Sequence, residues 1–201
     1  MLICVTDRKQ CRGDFLQRVE DIARLGASKI ILREKDLSPE EYECLLHQCW
    51  ERCKPYGVPV VANTQWRAAQ HLGIGHLHLP LHLLRQMGRP DWVHMLSTSV
   101  HSAPEAKEAQ QLGADFLLAG HVFATQCKAG LEPRGLEFVR AVSSAVDIPV
   151  CPIGGITPER APSVLQAGAQ GVCVMSGLMV CQDIQQEMAR WKNILGKVDK
   201  Q

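Results

Sequence analysis

Apolar residues along this chain follow two rhythms that alternate from end to end. Short runs rich in Val, Ile and Leu, too short for helices, read as strands buried on both faces. Between them apolar residues recur every three or four positions, which marks helices that bury one face. Leu2–Thr6 is the first predicted strand, and Asp14 then caps a helix whose Phe15, Leu16, Val19, Ile22 and Ala23 share a face. Lys29–Leu32 is the second strand. After it Ser38-Pro-Glu-Glu is a capping box with proline at the first helical position, and the helix it opens turns Tyr42, Leu45, Leu46, Cys49 and Cys53 inward. Strands three and four are Pro59–Ala62 and His76–Leu79, with a helix from Trp66 to Leu72 between them and a stunted one around Leu83. Trp92–Ser97 and Phe116–Ala119 are strands five and six, separated by a helix over Pro104–Leu112. A long loop from Gly120 to Arg134 and a helix from Gly135 to Val146 lead to the last strands, Val150–Ile153 and Val172–Met175. Ile184, Met188, Trp191 and Leu195 make a final amphipathic helix, and the tail from Lys197 to Gln201 is expected to fray.

One signature punctuates the series. Leu25-Gly-Ala-Ser, Leu72-Gly-Ile-Gly, Leu112-Gly-Ala-Asp and Ala167-Gly-Ala-Gln each end an amphipathic segment in glycine, the usual left-handed helix stop, with a strand close behind. Successive copies stand about two strand–helix units apart, which implies about eight units over the whole chain. Eight such units close into an α/β fold, a (β/α)8 TIM barrel, expected here as a single domain over residues 1–201. No linker, low-complexity run or shift of composition divides it.

Composition narrows the partners. Lysines and arginines number 22 against 21 acids, a net charge of +1, so no broad field draws nucleic acid or a membrane surface. No apolar run is long enough to span a bilayer, and the first residues lack the basic start of a signal peptide. The 9 cysteines are scattered without a Cys-x-x-Cys pair, which fits buried, reduced thiols in a cytoplasmic protein better than a disulfide framework or a zinc site.

Function in a barrel of this kind gathers at the C-terminal ends of the strands. The last two strands both stop in small residues, Gly154-Gly155 and Ser176-Gly177. Glycines let backbone come close to a ligand and N–H groups at a following helix start bind anions, so the pair reads as a phosphate site. Two ordinary strand-to-helix turns are the plainer alternative. Arg33-Glu34-Lys35 leaves strand two, and period-two alternation points Arg33 and Lys35 the same way, toward an anionic ligand or simply into solvent. Ser97-Thr98-Ser99-Val100-His101 leaves strand five, where Ser99 is open to a ligand and Ser102 suits a helix cap. After strand six, His121 stands at the expected barrel mouth, able to take and return a proton near neutral pH, and Thr125 and Lys128 add a hydroxyl and a cation. His76, His78 and His82 lie close in sequence, but no acid accompanies them, and they read as packed or hydrogen-bonded side chains rather than metal ligands.

Taken in order, these motifs resemble the thiamin-phosphate-synthase family of barrels. Leu32-Arg-Glu-Lys-Asp, Ser97-Thr98-Ser99-Val100-His101, Gly113-Ala114-Asp115-Phe116, the Gly120–Lys128 loop, Ile153-Gly154-Gly155-Ile156 and Val174-Met175-Ser176-Gly177 all fall in the family's sequence of motifs. Two departures stand out. Synthases carry an Asn-Asp-Arg after strand three, whose aspartate holds magnesium, and a second magnesium aspartate soon after strand four. Here the residues are Asn63-Thr64-Gln65, and Leu77 to Leu83 contains no acid. Losing both carboxylates counts against departure of a diphosphate assisted by a metal. The Gly120-His121-Val122-Phe123 stretch also differs from the synthases' usual Gly-Pro-Ile-Phe, and its histidine resembles the TenI-type thiazole tautomerases.

The resemblance therefore implies an isomerase. The expectation is a cytoplasmic homodimer that aromatises a phosphorylated carboxythiazole, with His121 as general acid/base and no metal or cofactor. Gly154, Gly155, Ser176 and Gly177 are expected to bind the phosphate, and Arg33, Lys35, Ser99, Thr125 and Lys128 the carboxylate and ring. A thiamin phosphate synthase, or a non-catalytic regulator that keeps the phosphate pocket, are the alternatives.

Overall fold

The computed structural model describes residues 1–128 and 130–198. Its eight strands are all parallel and form one closed barrel in chain order: β1 (Leu2–Val5), β2 (Lys29–Leu32), β3 (Val60–Asn63), β4 (His76–Pro80), β5 (Met95–Val100), β6 (Phe116–Gly120), β7 (Val150–Ile153) and β8 (Val172–Val174). Helices α1 (Phe15–Arg24), α2 (Pro39–Cys53), α3 (Trp66–His71), α4 (Leu81–Met87), α5 (Ala103–Gln111), α6 (Gly135–Ser143) and α7 (Ala161–Gln166) make the crossovers. A four-residue α8 (Ser176–Met179) and the outer α9 (Ile184–Val198) complete the chain. The fold is the (β/α)8 barrel that the repeated signature implies. Residues 199–201 of the expected frayed tail lie outside the described residues.

Local chemistry explains most of the element ends. Asp14 accepts a hydrogen bond from the Gln17 N–H at 2.7 Å to start α1. At α2, Ser38 and Glu41 exchange the two bonds of a capping box, 3.2 and 2.8 Å. The expected fifth strand is shifted toward the C-terminus. The Val93 N–H returns to the Pro90 carbonyl at 3.0 Å and holds Trp92 and Val93 in a turn. At the other end the strand runs straight through Ser97-Thr98-Ser99, because the barrel wall supplies partners for the hydroxyls. The buried Thr98 hydroxyl, for one, donates to the Leu79 carbonyl at 2.5 Å.

Two cores result. The larger lies between barrel and helices, where Leu32, Leu46, Cys49 and Ala69 are fully buried. The smaller fills the barrel itself with Ile3, Val5, Ile31, Val61, Phe116, Leu118, Cys151 and Cys173. Tyr42 joins the layers: its buried hydroxyl donates to the Leu32 carbonyl at 2.7 Å and accepts from the Asn63 N–H at 2.9 Å. It thereby bridges the ends of β2 and β3 where their own ladder stops. Tyr42→Phe strands both backbone groups, and equilibrium urea unfolding should register a loss of about 1–3 kcal/mol without a change of slope.

Above the apolar barrel layer the interior turns polar. His78 on β4 is buried, with its two ring nitrogens 2.9 Å from the Ser97 and Ser99 hydroxyls. Burial, and secondarily the Arg33 cation, pull its pKa from 6.5 down to about 4. The unfolded chain then binds a proton that the folded chain refuses. Stability should therefore fall as pH drops from the unfolded value toward the folded one, by a total on the order of 3 kcal/mol. Urea midpoints of wild type and His78→Gln across that window should diverge, the wild type being the more acid-sensitive; parallel curves would refute the assignment.

Candidate active site

The C-terminal ends of the strands open into a cavity of about 970 Å3. Strand alternation decides which side chains reach it. On β2 the inward series Ile31, Arg33, Lys35 carries two cations to the rim, while Glu34 turns the other way and is buried. There Glu34 accepts from the Thr6 hydroxyl at 2.6 Å and from the Arg8 N–H at 3.1 Å to each carboxylate oxygen. Arg8 and Lys9 also pair with Asp36, at 2.6 and 3.0 Å, and hold that carboxyl well below the usual carboxylate range.

Lys128 arrives from the β6–α6 loop. The Arg33 charge, desolvation and then the Lys128 charge lower the Lys35 pKa below its ordinary value, so the three cations share one region. Arg33, Lys35 and Lys128 take part in no ion pair among the described residues. All three line the cavity.

Another part of the lining belongs to β7 and β8. Gly154 and Gly155 have φ of +105° and +65°. A side chain at Gly154 would collide with the Cβ of His121, and one at Gly155 would put its Cβ 2.6 Å from the Ala124 carbonyl oxygen. The doublet is thus required twice over, by its backbone conformation and by the β6–α6 loop that lies against it. That loop is fastened by Val122 N–H to the Ile153 carbonyl and Phe123 N–H to the Gly154 carbonyl, both 3.0 Å. Ser176 and Gly177 open α8, where Leu178 and Met179 return their N–H groups to Met175 at 3.1 Å. The first N–H groups of a helix have no partner within it, and Ser176 and Gly177 line the cavity.

Ser99, His121 and Thr125 also line the cavity, so every residue named from the sequence as a candidate meets in one place. His121 Nε2 lies 3.4 Å from the Leu131 carbonyl. Cavity residues that sequence reasoning passed over are Asp7, Gln10, Asn63, His101, Glu132 and Arg134, and also His78, set aside as a packed histidine. Alternation on β4 could have placed His78 inside the barrel, since His78 and Pro80 share a face. It could not have supplied the two serines. The three histidines of β4 and α4 are not gathered: His76 and His78 lie in the wall, His82 is exposed, and among the described residues no three His, Cys, Asp or Glu could hold a metal ion.

The comparisons with known proteins agree with one another. A family model described as thiamine monophosphate synthase matches residues 2–178. A thiamine-phosphate synthase of Syntrophomonas wolfei is 32% identical over 200 residues, which cover 96% of this chain and 95% of that protein. One from Moorella thermoacetica is 35% identical over 176 residues, covering 85% and 83%. Among solved structures, a thiamine phosphate pyrophosphorylase from Pyrococcus furiosus superposes with a TM-score of 0.85 at 26% identity, covering 98% of this chain and 96% of that one.

These findings overturn the expectation of a thiazole tautomerase. The relatives are named as synthases, which are transferases and not isomerases. Similarity along nearly the whole chain outweighs His121 and the two missing carboxylates on which the isomerase expectation turned. No helix among the described residues is long and apolar enough to cross a membrane. The chain belongs to the thiamine monophosphate synthase family.

Proposed function

We propose that this chain is a transferase of the thiamine-phosphate-synthase kind, in which a phosphorylated thiazole displaces diphosphate from an activated pyrimidine. One observation carries the reading: a single cavity has two kinds of lining suited to anions. One is the cluster of Arg33, Lys35 and Lys128; the other is the backbone of Gly154, Gly155, Ser176 and Gly177. A diphosphate donor and a phosphate-bearing acceptor would use both, and the whole-chain similarity to synthases favours that pair over the phosphate and carboxylate of a single carboxythiazole. The cavity, about 970 Å3, is also at the upper end of the usual range for small-ligand sites.

In this reading the cation cluster takes the diphosphate and the N–H groups take the thiazole phosphate. Ser99, its hydroxyl oriented by His78 at 2.9 Å, and Thr125 meet the rings between them. His121 contributes wall and contact; the proton shuttle expected of it goes with the isomerase. The chain's part in the step is proximity, since two bound anions held at fixed poles bring nucleophile and carbon together without a bimolecular encounter. The reading includes a cytoplasmic homodimer: nine thiols, five of them buried, suit a reducing compartment, and the dimer is carried over from the family resemblance.

Magnesium, which the synthases use, does not fit the residues present. On the family resemblance Thr64 and Leu83 stand where the two carboxylates belong, and neither side chain supplies a charged oxygen ligand.

Incubating the protein with the pyrimidine diphosphate and the phosphorylated thiazole should yield thiamin phosphate and free diphosphate in equal amounts. Absence of both products from a folded protein that binds its substrates would remove the transferase and leave a binding protein. A second expectation follows from Lys35. Its pKa is depressed, so its charge is lost at a lower pH than for an ordinary lysine, and affinity for inorganic diphosphate should weaken as pH rises through that region. Titration calorimetry on Lys35→Arg, which stays charged, should show the early alkaline fall abolished.

A further inference from the structure

The charge around the cavity does not balance. Among its lining residues Arg33, Lys35, Lys128 and Arg134 are cationic, and only Asp7 and Glu132 are acidic. Asp7 is already engaged, accepting from the Gln10 side chain at 2.5 Å and the Lys9 N–H at 3.2 Å. Farther out on the same rim, Glu34 and Asp36 are consumed by Arg8 and Lys9. Glu34 and Asp36 are thus matched to Arg8 and Lys9, while Arg33, Lys35 and Lys128 take part in no ion pair among the described residues. Such a cluster repels itself until an anion enters, so binding releases strain already built into the fold.

A second observation comes from the place where a metal carboxylate would sit. Thr64 has a φ of +70°, in the left-handed region, which Asp and Asn tolerate and β-branched residues rarely adopt. Its N–H donates to the His78 carbonyl at 2.9 Å, and its hydroxyl accepts from the Asn63 side chain at 3.2 Å. The backbone has a shape that suits Asp or Asn better than threonine, whose side chain carries no charge.

We propose that the diphosphate pole of this chain works without a divalent cation, the side chains of Arg33, Lys35 and Lys128 alone meeting the anion's charge. The ligand class is a diphosphate or a diphosphate ester, bound as the free anion rather than as a magnesium complex. This rests on the transferase reading for the identity of the anion.

The test is calorimetric titration of the full chain with inorganic diphosphate, in EDTA and then in excess magnesium chloride. Diphosphate should bind in EDTA, and magnesium should leave affinity unchanged or weaken it by competing for the free anion. Removing two charge-assisted contacts in Arg33→Ala/Lys35→Ala should cost about 100-fold or more in either buffer, with the thermal transition retained. Arg33→Lys/Lys35→Arg, which preserves charge, should recover most of that loss and so separates charge from folding. Binding that appears only with magnesium overturns the proposal, as does affinity indifferent to the double alanine variant. Product formation distinguishes the two readings. Turnover that requires magnesium defeats metal independence and keeps the transferase; metal-free diphosphate binding without product does the reverse.

Discussion

Closure of the sheet is the constraint on which the rest depends. β1 pairs with β2 on one side and β8 on the other, with Ile3 opposite both Lys29 and Cys173. No parallel edge is left exposed, and each strand has one set of residues inside the barrel and one against the helices. A slip of one residue in any strand would exchange those sets, so the register is held by two cores at once. It also fixes the mouth. Arg33 faces the cavity because Ile31, two residues before it, is committed to the barrel interior.

The interior cannot be apolar to its end, because the mouth must meet charged ligands. The change takes place over one turn of side chains. Phe116, Ile31 and Val61 fill the lower barrel, and His78, Ser97 and Ser99 form a hydrogen-bonded unit just above. Burying a histidine is tolerable only if it stays neutral and both nitrogens are satisfied. Those two serines satisfy both nitrogens, burial and the Arg33 cation favour the neutral ring, and the neutral ring adds no positive charge to a rim that already carries unpaired cations.

How much of this was legible depends on how local each signal is. The barrel was readable because strand length, helix face and terminal glycine are all properties of neighbouring residues, repeated through the chain. The capping box of Ser38 and Glu41 was readable for the same reason. Arg33 and Lys35 could be paired from alternation alone. What the sequence hid were partners distant along the chain: Ser97 and Ser99 for His78, Arg8 for Glu34, and the β6–α6 loop that makes side chains impossible at Gly154 and Gly155. The isomerase expectation failed for a different reason. It let one loop residue, His121, and two missing carboxylates stand for the whole chain, while the chain's overall similarity lay with the synthases.

The missing carboxylates still require a physical answer, and the rim gives one. A divalent ion neutralises a diphosphate with charge borrowed from solution, in addition to any cations fixed in the pocket. Fixed side chains must carry that charge permanently. Their mutual repulsion shows in the depressed pKa of Lys35, which Arg33 and Lys128 lower by proximity. Such a cluster weakens the unliganded fold and stiffens its preference for an occupied site. An acid at Thr64 or Leu83 would relieve the repulsion in the empty protein, yet without a metal it would then oppose the incoming anion. With the cations fixed in place, the loss of both carboxylates removes an obstacle to diphosphate.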